Sequence, residues 1–161
     1  MNDTLKYLLN NSKKTLLVLD QDGTITESRW NEKLHSRNII DDWDRTGEHY
    51  MDMPVIPQTM ELVKYAAERG IQCGVLTASN EAEMKGKRKA LKERPEFAPF
   101  REVYLWVDET NTVPLKAAEL TRLAGDYEQI VYVDDDQGKL YAMQSLTPEN
   151  VWLFHISSVL I

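Results

Sequence analysis

The apolar run Leu16-Leu17-Val18-Leu19 stops at Asp20, and Asp22, Gly23 and Thr24 follow at once. Four consecutive apolar residues without alternation predict a parallel strand covered on both faces. Two like charges at the end of such a strand are costly unless something binds between them. Similar apolar runs recur at 71–77, 102–108, 130–136 and 151–156, separated by segments of helical spacing. After Pro57, the residues Met60, Val63 and Ala67 predict a helix that stops at Gly70. The segment 80–94 predicts a second helix, weakened by Gly86 and ended by Pro95. A third is predicted from Pro114 to its close at Gly125. Strands alternating with helices predict an α/β architecture, a parallel sheet with helices on both faces. Such sheets carry their sites beyond the carboxyl ends of the strands. Asp20, Thr77 and Asp134 each close a predicted strand.

Composition adds limits to this picture. A chain of 161 residues is expected to form one domain. The single cysteine, Cys73, excludes an internal disulfide framework and fits a reducing, cytoplasmic setting. No stretch is long and apolar enough to cross a membrane, and residues 1–14 lack the features of a signal peptide. The net charge of −7 disfavours extensive nucleic-acid binding, though a nucleic-acid end remains open as a substrate. A monomer or weak dimer is expected.

The motif Asp-Gln-Asp-Gly-Thr at 20–24 has two bland readings. A hairpin turn is one, but the unbroken apolar run before it suits a buried parallel strand better. A calcium loop is the other, and it fails because Ile25 and Asn31 stand where Gly and Glu are needed. A chemical reading accounts for each residue. A carboxylate at Asp20 can attack phosphorus, and Asp22 can serve the leaving group as general acid and then water as general base. Gly23 allows a sharp turn, and Thr24 offers a hydroxyl to fasten it. The run Asp134-Asp135-Asp136 is a solvated turn if read alone. Beside Asp20 and the Asp22 backbone, Asp134 would complete a hard-oxygen site suited to Mg²⁺. Thr77 is read as a phosphate ligand or a helix cap, and Lys116 as a phosphate neutraliser or a surface lysine.

In this order, Asp20-x-Asp22-Gly23-Thr24, Thr77, Lys116 and Asp134-Asp135 resemble the four motifs of the haloacid dehalogenase superfamily. The resemblance spans nearly the whole chain. It implies a Mg²⁺-dependent phosphohydrolase passing through an aspartyl-phosphate, on a three-layer α/β/α sandwich with strand order 5-4-1-2-3. It makes Asp20 the nucleophile, Asp22 the acid/base, and Thr77 and Lys116 the phosphate binders, with Ala78 beside them. Asp20, Asp22, Asp134 and Asp135 are the metal positions, and either Asp134 or Asp135 is the direct ligand. Ser79 is the alternative to Thr77. Aspartate at 22 marks phosphoester hydrolysis rather than dehalogenation. Weaker similarity extends to small magnesium-dependent phosphatases and to the phosphatase domain of polynucleotide kinase-phosphatases. A phosphorylated protein, a nucleic-acid end, or a sugar or nucleotide phosphate would be the substrate. Phosphoryl transfer to another acceptor, and non-catalytic phosphate binding, are the alternatives.

Only a small flap, at about 27–53, separates the first motif from the helix at Pro57, so an open site is expected. Trp30 and Trp43 in that flap are read as packing residues, with base stacking as the alternative. His35 and His49 lack metal-ligand spacing. The basic stretch 85–94 is read as a solvated helix face rather than a steering patch for an anion.

Overall fold

The computed structural model describes residues 1–27, 47–100 and 105–160. Most of the expected flap, with Trp30, His35 and Trp43, lies outside the described residues.

Five strands form one sheet: β1 (Thr15–Leu19), β2 (Gln72–Ser79), β3 (Leu105–Asp108), β4 (Gln129–Asp134) and β5 (Val151–His155), in the order β3-β2-β1-β4-β5. Every pairing is parallel. This is the expected order, read from the opposite edge. All five residues of β1 are buried, because β1 lies at the centre and both its faces are covered.

Alternation along the strands divides the core in two. Leu17 and Leu19, with Cys73, Val75, Val131 and Val133, face one helical layer. That layer comprises α1 (Asp3–Asn10), α2 (Pro57–Ala67), α3 (Glu81–Glu93) and the short α6 (Ser157–Leu160). Leu16 and Val18, with Leu76, Ile130 and Tyr132, face α4 (Thr112–Leu123) and α5 (Gln137–Met143). The helix at residues 3–10 was not anticipated from the sequence. It buries Leu5, Leu8 and Leu9 and is capped by Asn2, which accepts from the Leu5 amide at 2.9 Å. Among the described residues, no helix is long and apolar enough to cross a membrane.

One strand end differs from expectation: β2 continues two residues past Thr77 to Ser79, whereas β4 closes at Asp134, before the acids that follow it in the run 130–136. Asp136 therefore leaves the strand and caps α5, accepting from the Lys139 amide at 3.0 Å. The turn after β1 also differs in its fastening. The Thr26 amide and hydroxyl both donate to the Gln21 carbonyl, at 3.0 and 3.4 Å. Thr24 is buried, but its hydroxyl has no partner among the described residues.

Gly86 does more than weaken α3. Gly47, at φ +64°, opens a 3₁₀ turn (Glu48–Met51) that lies on this helix. A Cβ on Gly86 would stand 2.0 Å from the Gly47 carbonyl oxygen. Helix propensity alone favours Gly86→Ala by about 1 kcal/mol. The backbone clash opposes it at roughly 1–3 kcal/mol. Gly86→Ala should therefore lower the denaturation midpoint, and a stabilised variant would show that the contact is unimportant.

Candidate active site

Parity along the strands decides what reaches the sheet's carboxyl end. Asp20 continues the Leu16–Val18 face beyond β1, and Asp134 continues the Ile130–Tyr132 face. On α4, Lys116 shares the buried stripe of Ala117, Leu120 and Leu123, so it rises from that same layer. Its Nζ donates to Asp20 Oδ1 at 3.1 Å, Asp134 Oδ2 at 2.9 Å and the Tyr132 hydroxyl at 2.8 Å. The ammonium's three protons are thereby used. Tyr132 in turn donates to Asp134 Oδ2 at 2.6 Å, and the Asp136 amide to Asp134 Oδ1 at 2.8 Å.

The opposite layer supplies a second lysine. Thr77 continues the Cys73–Val75 face of β2, and Lys87 lies on the buried stripe of α3 with Met84, Ala90 and Leu91. Lys87 is fully buried. Its Nζ donates to Thr77 Oγ1 at 2.7 Å and to Asp22 Oδ2 at 2.6 Å. The Tyr50 hydroxyl donates to the same Asp22 oxygen at 3.3 Å. Within the basic stretch 85–94, the reading as a wholly solvated face is thus corrected at Lys87. Its side chain falls in register with the apolar stripe, and two partners offset its burial.

The electrostatics follow from burial and these contacts. Burial pushes the Asp20 carboxyl from 3.8 up to about 6; Lys116 pulls it down, and Asp134 and Asp22 add to the rise. Burial disfavours charge on Lys116, but Asp20 and Asp134 outweigh it and hold its pKa above the usual lysine value. For Asp134, burial is overcome by Lys116, the Tyr132 hydroxyl and the Asp136 amide, and its pKa falls. Asp135 is raised by burial and by its neighbour Asp134.

Asp20, Asp22, Thr77, Ala78, Lys116 and Asp135 line one cavity of about 240 Å³, and Asp136 and Lys139 complete its wall. Ser79, the alternative to Thr77, is buried elsewhere, and its hydroxyl has no partner among the described residues. Oxygens of Asp20, Asp134 and Asp135 lie within 4.8 Å of one another. Three hard carboxylate oxygens at this spacing fit a small divalent cation with water completing its shell. Burial is the main reason the Asp20 and Asp135 values rise, with neighbouring carboxylates adding to it. The Asp22 carboxylate is not one of the three. Gly23 lets this cluster form: at φ +76°, it lies where a Cβ would stand 2.2 Å from Asp135 Oδ2. His155 braces the same loop, with Nε2 at 3.0 Å from the Asp135 carbonyl.

A larger groove, of about 660 Å³, opens at the other end of the sheet beside Asn10, Lys14, Arg69 and Tyr127. Arg69 there bonds to Asn10 at 2.8 Å, and Lys14 to the neighbouring Asp126 carbonyl at 3.0 Å.

No protein-family model and no curated protein sequence matches the chain. Solved structures do. A protein described as a haloacid dehalogenase-like hydrolase of Burkholderia xenovorans superposes with a TM-score of 0.57 at 12% identity, over 87% of this chain and 80% of that one. The class C acid phosphatase of Bacillus anthracis gives 0.57 at 14% identity, over 96% and 75%. A haloacid dehalogenase-superfamily hydrolase of Ehrlichia chaffeensis gives 0.52 at 10%, over 90% and 93%. This chain has the haloacid dehalogenase-like fold.

Proposed function

We propose that this protein is a Mg²⁺-dependent phosphomonoesterase that works through a phosphorylated Asp20. One observation carries the reading: Asp20 and Asp134, at the ends of adjacent parallel strands, share the buried ammonium of Lys116 beside a cavity lined by Asp22 and Thr77. A ligand-binding protein has no need of a second carboxylate placed like Asp22. The likeness in fold to an acid phosphatase and to hydrolases agrees with this reading.

In the first step an Asp20 oxygen attacks phosphorus, and the bond from phosphorus to the leaving oxygen breaks. Asp22 gives that oxygen its proton. In the second step water attacks the same phosphorus and loses a proton to Asp22. The bond from phosphorus to Asp20 breaks, phosphate departs, and the Asp20 carboxylate is restored. Lys116 fixes the attacking carboxylate, and Thr77, with Ala78 next to it, receives the phosphoryl oxygens. Asp20, Asp134 and Asp135 would hold Mg²⁺, with the Asp22 backbone carbonyl as a further ligand. The cation would neutralise charge between an anionic nucleophile and an anionic phosphate.

Among the described residues the cavity of about 240 Å³ has room for a phosphoryl group with its cation and water, and we place the rest of a substrate outside it. Such a site suits the phosphorylated end of a larger molecule, and the chain would act as a single domain.

Phosphate release from an aryl phosphate tests the reading. Release should require Mg²⁺, stop on chelation and return when the metal is restored. Chelation that leaves the rate unchanged would remove Mg²⁺ from the proposal, and no release from aryl, sugar or end-phosphorylated substrates would overturn it.

A further inference from the structure

Lys87 has no part in the chemistry so far, yet it is fully buried and charged, and it is held by two groups of the cavity wall. Burying an ammonium is costly unless it is well paired. Its only ionic partner among the described residues is Asp22, the residue assigned to proton transfer. The geometry points to Lys87 as the positioning residue for Asp22, an inference that rests on the phosphomonoesterase reading. Lys87 does not line the cavity, so it acts through Asp22 rather than by touching substrate.

The arrangement is specific. Lys87 and Tyr50 approach the same oxygen, Asp22 Oδ2, at 2.6 and 3.3 Å. Both donors are anchored on the helical layer that carries α3. Lys87 rises from that helix, and Tyr50 sits in the 3₁₀ turn seated against it at Gly47 and Gly86. The Lys87 ammonium also lies 5.2 Å from the centre of the Tyr50 ring, so the two donors support each other. Fixing Oδ2 from behind fixes where Oδ1 stands. A proton donor must meet the leaving oxygen within hydrogen-bond reach, so this restraint governs the first step. Thr77 shares the ammonium, which ties the phosphate-binding hydroxyl and the acid/base group to one point.

The role has a signature that simple loss of structure does not share. An acid matters most for a poor leaving group and little for a good one. Lys87→Met keeps the apolar stem and removes the charge. The measurement is kcat/KM for an alkyl phosphate and for a nitrophenyl phosphate, in wild type, Lys87→Met, Asp22→Asn and the double variant. Lys87→Met should lower the alkyl value about 100-fold relative to the nitrophenyl value, within the range of general acid catalysis. Any loss through Thr77 acts on both substrates and cancels in the ratio. In the Asp22→Asn background, Lys87→Met should leave the ratio unchanged, because the group it positions is gone. Tyr50→Phe removes the weaker donor without a charge change and should shift the ratio the same way, by less. It keeps the question answerable if Lys87→Met does not fold.

Equal losses on both substrates, or the same shift with Asp22 already replaced, would overturn the role of Lys87 and leave the phosphatase reading intact. If wild type shows no turnover of either substrate that Asp20→Asn abolishes, the phosphatase reading falls, and the role of Lys87 falls with it.

Discussion

Asp20→Asn is expected to reduce phosphate release to background, a loss on the order of 10⁴-fold or more, while making the metal-free protein harder to unfold. An amide cannot supply the attacking oxygen, and no other carboxylate occupies its place at the end of β1. The gain in stability comes from the same burial that prepares the site. A carboxyl raised from 3.8 to about 6 is harder to ionise in the folded protein than in the unfolded chain by roughly 3 kcal/mol. That difference is a cost to the folded state whenever Asp20 is ionised. Asparagine removes the charge and keeps the shape, although Lys116 then loses one of its two anions. A net gain of about 1–2 kcal/mol follows, or several degrees in melting temperature.

The pH dependence has a definite sign. Between the unfolded value near 3.8 and the folded value near 6, the native state binds more protons at Asp20 than the unfolded chain does. The wild type should therefore lose stability as pH rises through that window, and Asp20→Asn should lose less. Metal-free melting curves at pH 4.5 and 6.5 check this. A variant that melts lower at both, with the wild-type slope, would mean that Asp20 is not a source of strain.

Lys116→Met should be the most damaging single change to stability. It removes the cation that bonds two buried carboxylates and a buried phenol. Breaking a buried pair by deleting one partner typically costs 3–5 kcal/mol, because the charge left behind is uncompensated. Here two charges are left behind, so the upper part of that range applies. Some of it returns as Asp20 takes up a proton. For a chain of this size the melting temperature should fall by about 10 °C. Mg²⁺ at millimolar levels should recover part of the loss, since the cation would replace the missing charge among Asp20, Asp134 and Asp135. A loss below about 1 kcal/mol would show that the carboxylates are better hydrated than their burial indicates. Turnover should fall along with stability.

The fold was largely legible because each strand carries its own signal. The unbroken apolar runs point to parallel strands, and the acids that end them point to the carboxyl end of the sheet as the place of the candidate site. Asp20, Thr77, Lys116 and Asp134 could be located from these signals with the help of the family resemblance. Lys87 could not, because a lysine within Lys-Gly-Lys-Arg-Lys looks solvated. The available clue was its spacing from Met84 and Leu91, which places it on the apolar stripe. Tyr132 was hidden differently, inside an apolar run where its hydroxyl carried no weight. Its place two residues before Asp134 puts both on one face. Nothing local announced Gly47 against Gly86, since contact between distant segments leaves no periodicity.

The place of β1 at the centre of the sheet has a consequence for synthesis on the ribosome. One edge of β1 pairs with β2, which emerges early. Its other edge pairs with β4, and the bond from Gln129 to Thr15 joins residues 114 apart. Until β4 emerges, the growing protein holds a mostly apolar strand with one side open to other chains. Asp20 and Asp22, at the end of that strand, place negative charge beside the exposed edge throughout this interval. The carboxylates proposed for the finished site are thus also placed to discourage association of the unfinished one.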